Sequence, residues 1–154
     1  MKRVKIDEIE RVLSSATVQR PLSDALGTTD VSINYYELSP GESFAYGYHA
    51  HETQEEVFIV HSGTVDFETE SGFVSVTSGE AIRFAPGEHQ QGRNTGSDVA
   101  VAVAIGTPQA SGELRLQTEC QTCNERTPSK LDRLNDESMI TLCRQCGSVT
   151  GRFE

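Results

Sequence analysis

The sequence predicts an all-β fold, one small barrel followed by a short segment built around four cysteines. Three observations carry this. From Val31 onward apolar residues recur with a period of two, in Val31, Ile33 and Tyr35, then Val65 and Phe67, Val74 and Val76, and Ile82 and Phe84. Successive side chains of a strand face opposite sides, so this alternation marks half-buried strands. Gly63, Ser71-Gly72, Ser78-Gly79 and Pro86-Gly87 punctuate the runs, and several short strands with turn residues at such spacing form a sandwich or barrel. Finally, Cys120-x2-Cys123 and Cys143-x2-Cys146 use every cysteine in the chain. Three units are expected: an N-terminal segment 1–30, the barrel 31–112, and a four-cysteine segment 113–154.

A chain of 154 residues suits one domain with a small appendage and can bury a real core. Its formal net charge is -10, with only three lysines, Lys2, Lys5 and Lys130. Such a surface argues against binding nucleic acid or an anionic membrane through bulk charge. The opening MKRVKIDEIERVLSS has no apolar run long enough for a signal peptide or membrane span; a soluble, cytoplasmic protein is expected. Within it Ile6, Ile9, Val12 and Leu13 fall at roughly helical spacing, which predicts a short amphipathic helix over residues 5–15.

The barrel is organised around PGESFAYGYHAHETQEEVFIVHSG, residues 40–63. His49 and His51, two apart in an extended segment, face the same side. After a turn at 52–54 the alternation Glu56, Phe58, Val60 returns a carboxylate to the inner face and leaves Glu55 outside. Two imidazoles and one carboxylate are the ligand set of many mononuclear metal sites. His61, just before the turn at Gly63, is expected in solvent.

The spacing H-x-H-x4-E-x6-G at His49, His51, Glu56 and Gly63 resembles the first motif of the cupin superfamily. Residues 79–94, GEAIRFAPGEHQQGRN, resemble the second. The resemblance implies a double-stranded β-helix, or jelly-roll, barrel with a metal in its mouth. It also implies dioxygenase, isomerase, decarboxylase or lyase chemistry without selecting among them. Two departures stand out. Seven residues rather than the usual five separate Gly41 from His49, implying a longer loop before the ligands. The family's third histidine falls on Gln90, counted from Gly87 and back from Asn94, while His89 stands one place early. Adjacent strand residues face opposite ways unless a bulge intervenes. Register points to Gln90 as fourth ligand or hydrogen-bond partner; donor chemistry points to His89, the better ligand for a transition metal. With Gln90 as a weak neutral donor, positions stay open for water, dioxygen or substrate, and iron(II), manganese, nickel and zinc all suit the set.

Between residues 21 and 112 thirteen acidic residues face only two basic ones, Arg83 and Arg93, both in the second motif. An arginine beside a metal clamps a carboxylate or phosphate, so Arg93 is expected to bind substrate and the substrate to be a small anion. Alternation with Ile82 and Phe84 turns Arg83 outward. The run Val99 to Ile105 is apolar on both faces; one fills the barrel, and the other meets either a second sheet of the same subunit or a second copy, as in a homodimer.

Residues 106–113, GTPQASGE, read as a linker. Beyond it the two C-x2-C hairpins, nineteen residues apart, have the spacing of a tetrahedral thiolate cage for structural zinc. Two disulfides are the alternative, disfavoured in a reducing cytoplasm. Gly147 allows the chain to turn tightly after Cys146. The segment resembles a zinc ribbon, too small for much of a core, so that metal binding supplies most of its folding free energy. Four thiolates leave no open position for catalysis. Two function classes follow: a metal-dependent enzyme acting on a small anionic molecule, or a binding module that senses a small molecule or metal and acts through the four-cysteine segment. No nucleophile constellation, phosphate-binding glycine loop or dinucleotide fingerprint offers another route.

Overall fold

The computed structural model describes residues 1–135 and 137–154. Its strands are β1 (Val18–Pro21), β2 (Ser32–Leu38), β3 (Tyr48–His51), β4 (Glu55–Ser62), β5 (Thr64–Thr69), β6 (Gly72–Thr77), β7 (Ala81–Phe84), β8 (Gln90–Asn94), β9 (Ala100–Thr107), β10 (Leu114–Cys120), β11 (Glu125–Asn135), β12 (Ser138–Cys143) and β13 (Val149–Phe153). They form two antiparallel sheets, ordered β1-β2-β9-β4-β7 and β13-β12-β11-β10-β3-β8-β5-β6. The first sheet faces the β3-β8-β5-β6 part of the second, giving the double-stranded β-helix. Among the described residues no helix is long and apolar enough to cross a membrane.

Alternation along the strands builds the core. β9 alternates buried Ala100, Ala102 and Ala104 with half-buried Val101, Val103 and Ile105. Opposite these small residues sit Phe44, Phe58, Phe67 and Phe84, whose ring centroids lie 4.7 to 6.3 Å apart. Leu38, Val60 and Val65 are fully buried beside them, and each such side chain contributes about 1.5–3 kcal/mol over leaving it in water. Gly63 follows β4 with φ +78°, and a Cβ there would meet the Ala100 Cα at 2.8 Å, so the turn requires glycine.

The ends depart from expectation. The expected helix over residues 5–15 is a single 3-10 turn at Ile6–Glu8 without a side-chain cap, followed by irregular chain up to β1. Ile6 and Val12 stay exposed; without an apolar surface to pack on, so short a helix is marginal. A helix occurs instead at α1 (Leu22–Leu26), closed by Gly27 at φ 73°. β1 pairs with β2 from Val18 onward, so barrel pairing begins ahead of residue 31. The expected linker is tied down as well. Gln54 Nε2 donates to the carbonyls of Pro108 and Gln109 at 2.7 and 3.1 Å, and the amides of Thr53 and Glu52 reach Ser111 O and Glu113 O. β10 then pairs with β3, Leu116 opposite His49 and Leu114 opposite His51. The four-cysteine segment therefore continues the barrel's own sheet instead of standing apart as a ribbon.

Candidate metal centre

β3 lies between β10 and β8, with His49 paired to Gln90 across it. Its inward residues are His49 and His51, whose ring centroids are 5.0 Å apart. Glu56 comes from β4 in the facing sheet, where it pairs with Gly106 and Phe84. The site therefore bridges the two sheets at the barrel mouth. One ligand atom each from His49, His51 and Glu56 can lie within 4.8 Å of one another.

The donor set fits a divalent ion. His49 Nδ1 lies 3.1 Å from Gly47 O, which makes Nδ1 the protonated nitrogen and leaves the Nε2 lone pair facing inward. Burial pushes the His49 imidazole below its ordinary pKa, outweighing the opposing pull of Glu56, so the ring is neutral and ready to ligate. His51 Nε2 is 3.5 Å from Glu56 Oε2. Gln90 Nε2 donates to Glu56 Oε2 at 3.0 Å and lies 3.3 Å from His49 Nε2, so an amide nitrogen stands among the other donors. For metal–ligand bonds near 2.1 Å, adjacent donors sit about 3.0–3.4 Å apart. Gln90 Oε1 is buried without a hydrogen-bond partner; turning the amide over would present this oxygen to the same spot.

The other expected site residues lie elsewhere. His89 faces the outside of the sheet, stacked on Tyr48 at 5.3 Å and 3.5 Å from Glu70. Arg93 does not reach the cavity: exposed on the outer face of β8, its Nη1 donates to Gly41 O at 2.7 Å. The long loop before β3 pairs with β8 through Phe44 N to Gly92 O and Asn94 N to Glu42 O, and Arg93 braces its start. Arg83 faces outward and pairs with Glu55 at 2.6 Å. His61 is exposed. Asn94, fully buried, holds Leu38 O and Asp98 O through Nδ2, both at 2.8 Å.

A cavity of about 310 Å³ opens onto the histidines. Its uncharged polar lining includes Ser32, Asn34, Tyr36, Gln54 and Ser111; Leu114 and Leu116 of β10 form an apolar wall. No lysine or arginine lines it among the described residues, which removes the ground for an arginine-clamped anion. Tyr36 is a site residue that the sequence motifs do not single out. The alternation in β2 makes Ile33 and Tyr35 the apolar phase, yet Ser32, Asn34 and Tyr36 face inward. A cavity wall reverses the usual inside-apolar rule, and the polar phase of β2 is the signal that could have found it. Burial and the nearby Glu56 carboxylate push the Tyr36 phenol well above its ordinary pKa, so it stays protonated and able to donate.

The four cysteines also converge. Cys120 ends β10, Cys143 ends β12, and Cys123 and Cys146 occupy the following turns. Their sulfurs all lie within 4.8 Å, with Cys120 to Cys146 at 3.5 Å and Cys123 to Cys143 at 3.9 Å. A tetrahedral cage with metal–sulfur bonds near 2.3 Å has edges of about 3.8 Å. The amides of Cys123 and Gln145 point at Cys120 Sγ and Cys143 Sγ, and Asn124 and Gly147 take positive φ just after each hairpin. The Thr127 hydroxyl, 3.1 Å from Cys143 Sγ, is the main cause that brings this thiol down to about 6.

Residues 34–106 match a family model for the cupin domain. No curated protein matches the chain. Among solved structures, a sugar phosphate isomerase from a cupin superfamily of Silicibacter pomeroyi is 21% identical, covering 96% of this chain and 91% of that one at a TM-score of 0.63. That share takes in most of the four-cysteine segment. The polyketide cyclase RemF from Streptomyces resistomycificus is 23% identical over 75% of this chain and 84% of its own, at a TM-score of 0.62. A predicted oxalate decarboxylase from Thermotoga maritima is 23% identical over 69% and 98%, at 0.59. At these identities the likeness establishes the fold, the cupin double-stranded β-helix.

Proposed function

We propose that this cupin-fold barrel is a metal-dependent enzyme acting on a small hydroxylated or carbonyl compound, uncharged or bringing its one charge to the metal itself. The observation that carries the reading is the convergence of His49, His51, Glu56 and the Gln90 amide on a cavity whose remaining polar groups are neutral. A divalent ion held there supplies a Lewis acid. Tyr36 donates a hydrogen bond to substrate oxygen, Gln90 orients the Glu56 carboxylate, and Leu114 and Leu116 cover the carbon skeleton. A Lewis acid and a protonated phenol both polarise a carbonyl and acidify the carbon beside it, so that a solvent base can take its proton, which suits isomerase or lyase chemistry. The chain-long likeness to a sugar phosphate isomerase supports that class. A phosphorylated end would have to project toward solvent, for want of a cation in the wall. In the four-cysteine cage, zinc is the ion that four thiolates favour, in a structural role.

The test is solvent-deuterium exchange followed by NMR. Protein loaded with manganese, nickel, iron(II) or zinc is offered a panel of aldoses, ketoses and hydroxy acids. Metal-dependent exchange at the carbon next to the carbonyl is expected, lost in His49→Ala, and lost in Tyr36→Phe although that variant keeps its metal. Absence of exchange with every metal refutes the catalytic reading. A second reading, a sensor acting through the four-cysteine segment, is favoured by one feature: β10 carries Leu116 in the cavity wall and Cys120 in the cage. Ligand-dependent change at the four-cysteine segment without turnover would support it.

A further inference from the structure

We propose that the outer face of the eight-stranded sheet carries a binding site for a phosphate group, held by Arg115 and Arg144 beside His89, across β10 from the candidate metal centre. His89, left outside the barrel, lines a second cavity of about 310 Å³ together with Arg115, Gln117, Pro128 and Arg144. The cavity follows from the phase of β10. Leu114 and Leu116, opposite His51 and His49, turn their side chains to the barrel, so Arg115 and Gln117 turn outward. Gln117 Nε2 lies 3.5 Å from His89 Nε2, which brings the histidine to the edge of β10's outward residues. Gln117 also stands opposite Pro128 of β11, whose carbonyl accepts from the Arg144 amide at 2.8 Å and so anchors Arg144 at the same cavity.

Charge and donor count select the ligand. Two guanidiniums and an imidazole meet a single carboxylate, Glu113, in the lining. The two arginines are also uncommitted, unlike those nearer the barrel: Arg83 is paired with Glu55, Arg93 with Gly41 O, and Arg126 with Glu68 and Glu119. Among the described residues Arg115 makes no side-chain hydrogen bond or ion pair, and Arg144 makes one, Nε to Ser129 O at 3.4 Å. Two such cations at one concavity focus positive potential on a chain of net charge -10. The other acids of this face are turned elsewhere. Glu68 and Glu119 hold Arg126, which lies over the Tyr48 ring on which His89 stacks, and Glu70 faces His89 Nδ1 at 3.5 Å. Each guanidinium presents a planar fork of N–H donors, and Gln117 adds an amide. A carboxylate, with one charge, would leave part of this set unused, whereas a phosphate brings three acceptor oxygens and nearly a second charge. A polyanion such as nucleic acid needs a run of cations, which one cavity with two arginines does not supply. The site is separate from the barrel cavity and does not depend on the catalytic reading.

The experiment is isothermal titration of the full chain, as purified, with inorganic phosphate and separately with glycerol phosphate. Saturable binding at a single site is expected. Arg115→Gln and Arg144→Gln should each raise the dissociation constant by about 10-fold or more, the loss of a charged hydrogen bond, with unchanged circular dichroism. Arg11→Gln removes the same charge from an exposed position of the N-terminal segment and should leave affinity unchanged. Both cavity arginines are exposed, so their variants are expected to fold, and should one fail the other carries the test. His49→Ala should bind phosphate like wild type. Either source of the phosphate supports the site: tighter binding of the ester identifies a phosphorylated metabolite, and equal or weaker binding of the ester identifies the free ion. No saturable binding of either up to about 10 mM overturns the proposal. So does binding that survives Arg115→Gln and Arg144→Gln together, or binding that disappears in His49→Ala, which would place the phosphate at the barrel site.

Discussion

Glu56 and Glu55 are neighbours in sequence with opposite fates, and exchanging each for glutamine separates a candidate ligand from a surface ion pair. Glu56 Oε2 lies 3.0 Å from Gln90 Nε2 and 3.5 Å from His51 Nε2. Glu55 bonds Arg83 at 2.6 Å on the outer face, with side chains 35% and 58% exposed. Protein is stripped, given one equivalent of zinc for the thiolates, and melted with and without manganese, an ion that prefers imidazole and carboxylate to sulfur. At a free concentration of 100 times Kd, manganese adds about 2.7 kcal/mol, or roughly 5–11 °C in Tm for a domain of this size. Glu56→Gln removes the one formal negative charge of the ligand set. A hundredfold loss of affinity leaves about 0.4 kcal/mol at the same manganese concentration, a shift of about 1 °C. Glu55→Gln loses a pair contributing about 0–1 kcal/mol, but its manganese-induced shift stays that of wild type. The manganese shift is a difference within each protein, so intrinsic stability cancels. A full shift in Glu56→Gln, or its disappearance in Glu55→Gln, refutes the assigned register of β4.

Three further outcomes are expected. Cys143→Ser abolishes metal at the cysteine cage, and amide exchange by mass spectrometry should then speed by about 100-fold or more in β11 to β13 while β2, β4 and β9 keep their protection. Gly92→Ala places a Cβ 2.5 Å from Phe67 Cε1 and 2.8 Å from Phe44 Cδ2; overpacking of the two rings should cost about 1–3 kcal/mol by urea denaturation. Asp66 is held below the usual carboxylate pKa by the Ser75 and Thr95 hydroxyls. Its folded value lies below its unfolded one, so its contribution is complete above about pH 4 and is lost as pH falls through the folded value. The carboxyl NMR titration should therefore move upward in Ser75→Ala and Thr95→Val, with only a small change in stability because the group is largely in solvent.

The sequence made the β-strands legible because period-two runs and turn glycines are local signals, and the structure puts strands at each of those runs. It made the candidate ligand cluster legible for the same reason: His49 and His51 share a face by spacing alone, and Glu56 follows from the phase of Phe58. Register also brought Gln90 inward and left His89 outside, because no bulge interrupts β8. What local patterns could not supply was contact between distant elements. Arg93 looked like a substrate clamp because it was one of few cations, yet its partner is a carbonyl fifty-two residues away. Helical spacing over residues 5–15 carried no information about whether any surface existed to receive the apolar side. Nor did the spacing of the cysteines reveal that β10 would join β3, since a strand's edge partner is set by the free edge the barrel leaves.

The interior of the four-cysteine segment explains why it is joined to the barrel and built around sulfur. Where the barrel buries phenylalanine, this segment buries hydroxyls: Thr127 and Thr141 are fully inaccessible, and Ser129 and Ser138 nearly so. Their hydroxyls are satisfied within the segment, Ser138 by the Asn135 side chain. Thr118 bonds Ser129 at 2.5 Å and Thr150 at 2.7 Å, Thr150 bonds Thr141 at 2.9 Å, and Thr127 reaches Cys143 Sγ. A buried, satisfied hydroxyl adds only about 0.5–1.5 kcal/mol net, less than the burial of a large aliphatic or aromatic side chain. Such a ladder cannot offset the conformational entropy of some forty residues. Two other sources are present: the continuous strand pairing of β10 to β3, and the four thiols at the far end. Phe153 of β13 packs edge-on against Tyr46 at 4.7 Å, beside the cavity that Tyr46 also lines. The segment thus holds the cavity wall at two points, through Leu116 in β10 and through Phe153. Ligation by the thiols would stiffen both at once, which would tie the shape of the barrel cavity to the four-cysteine cluster.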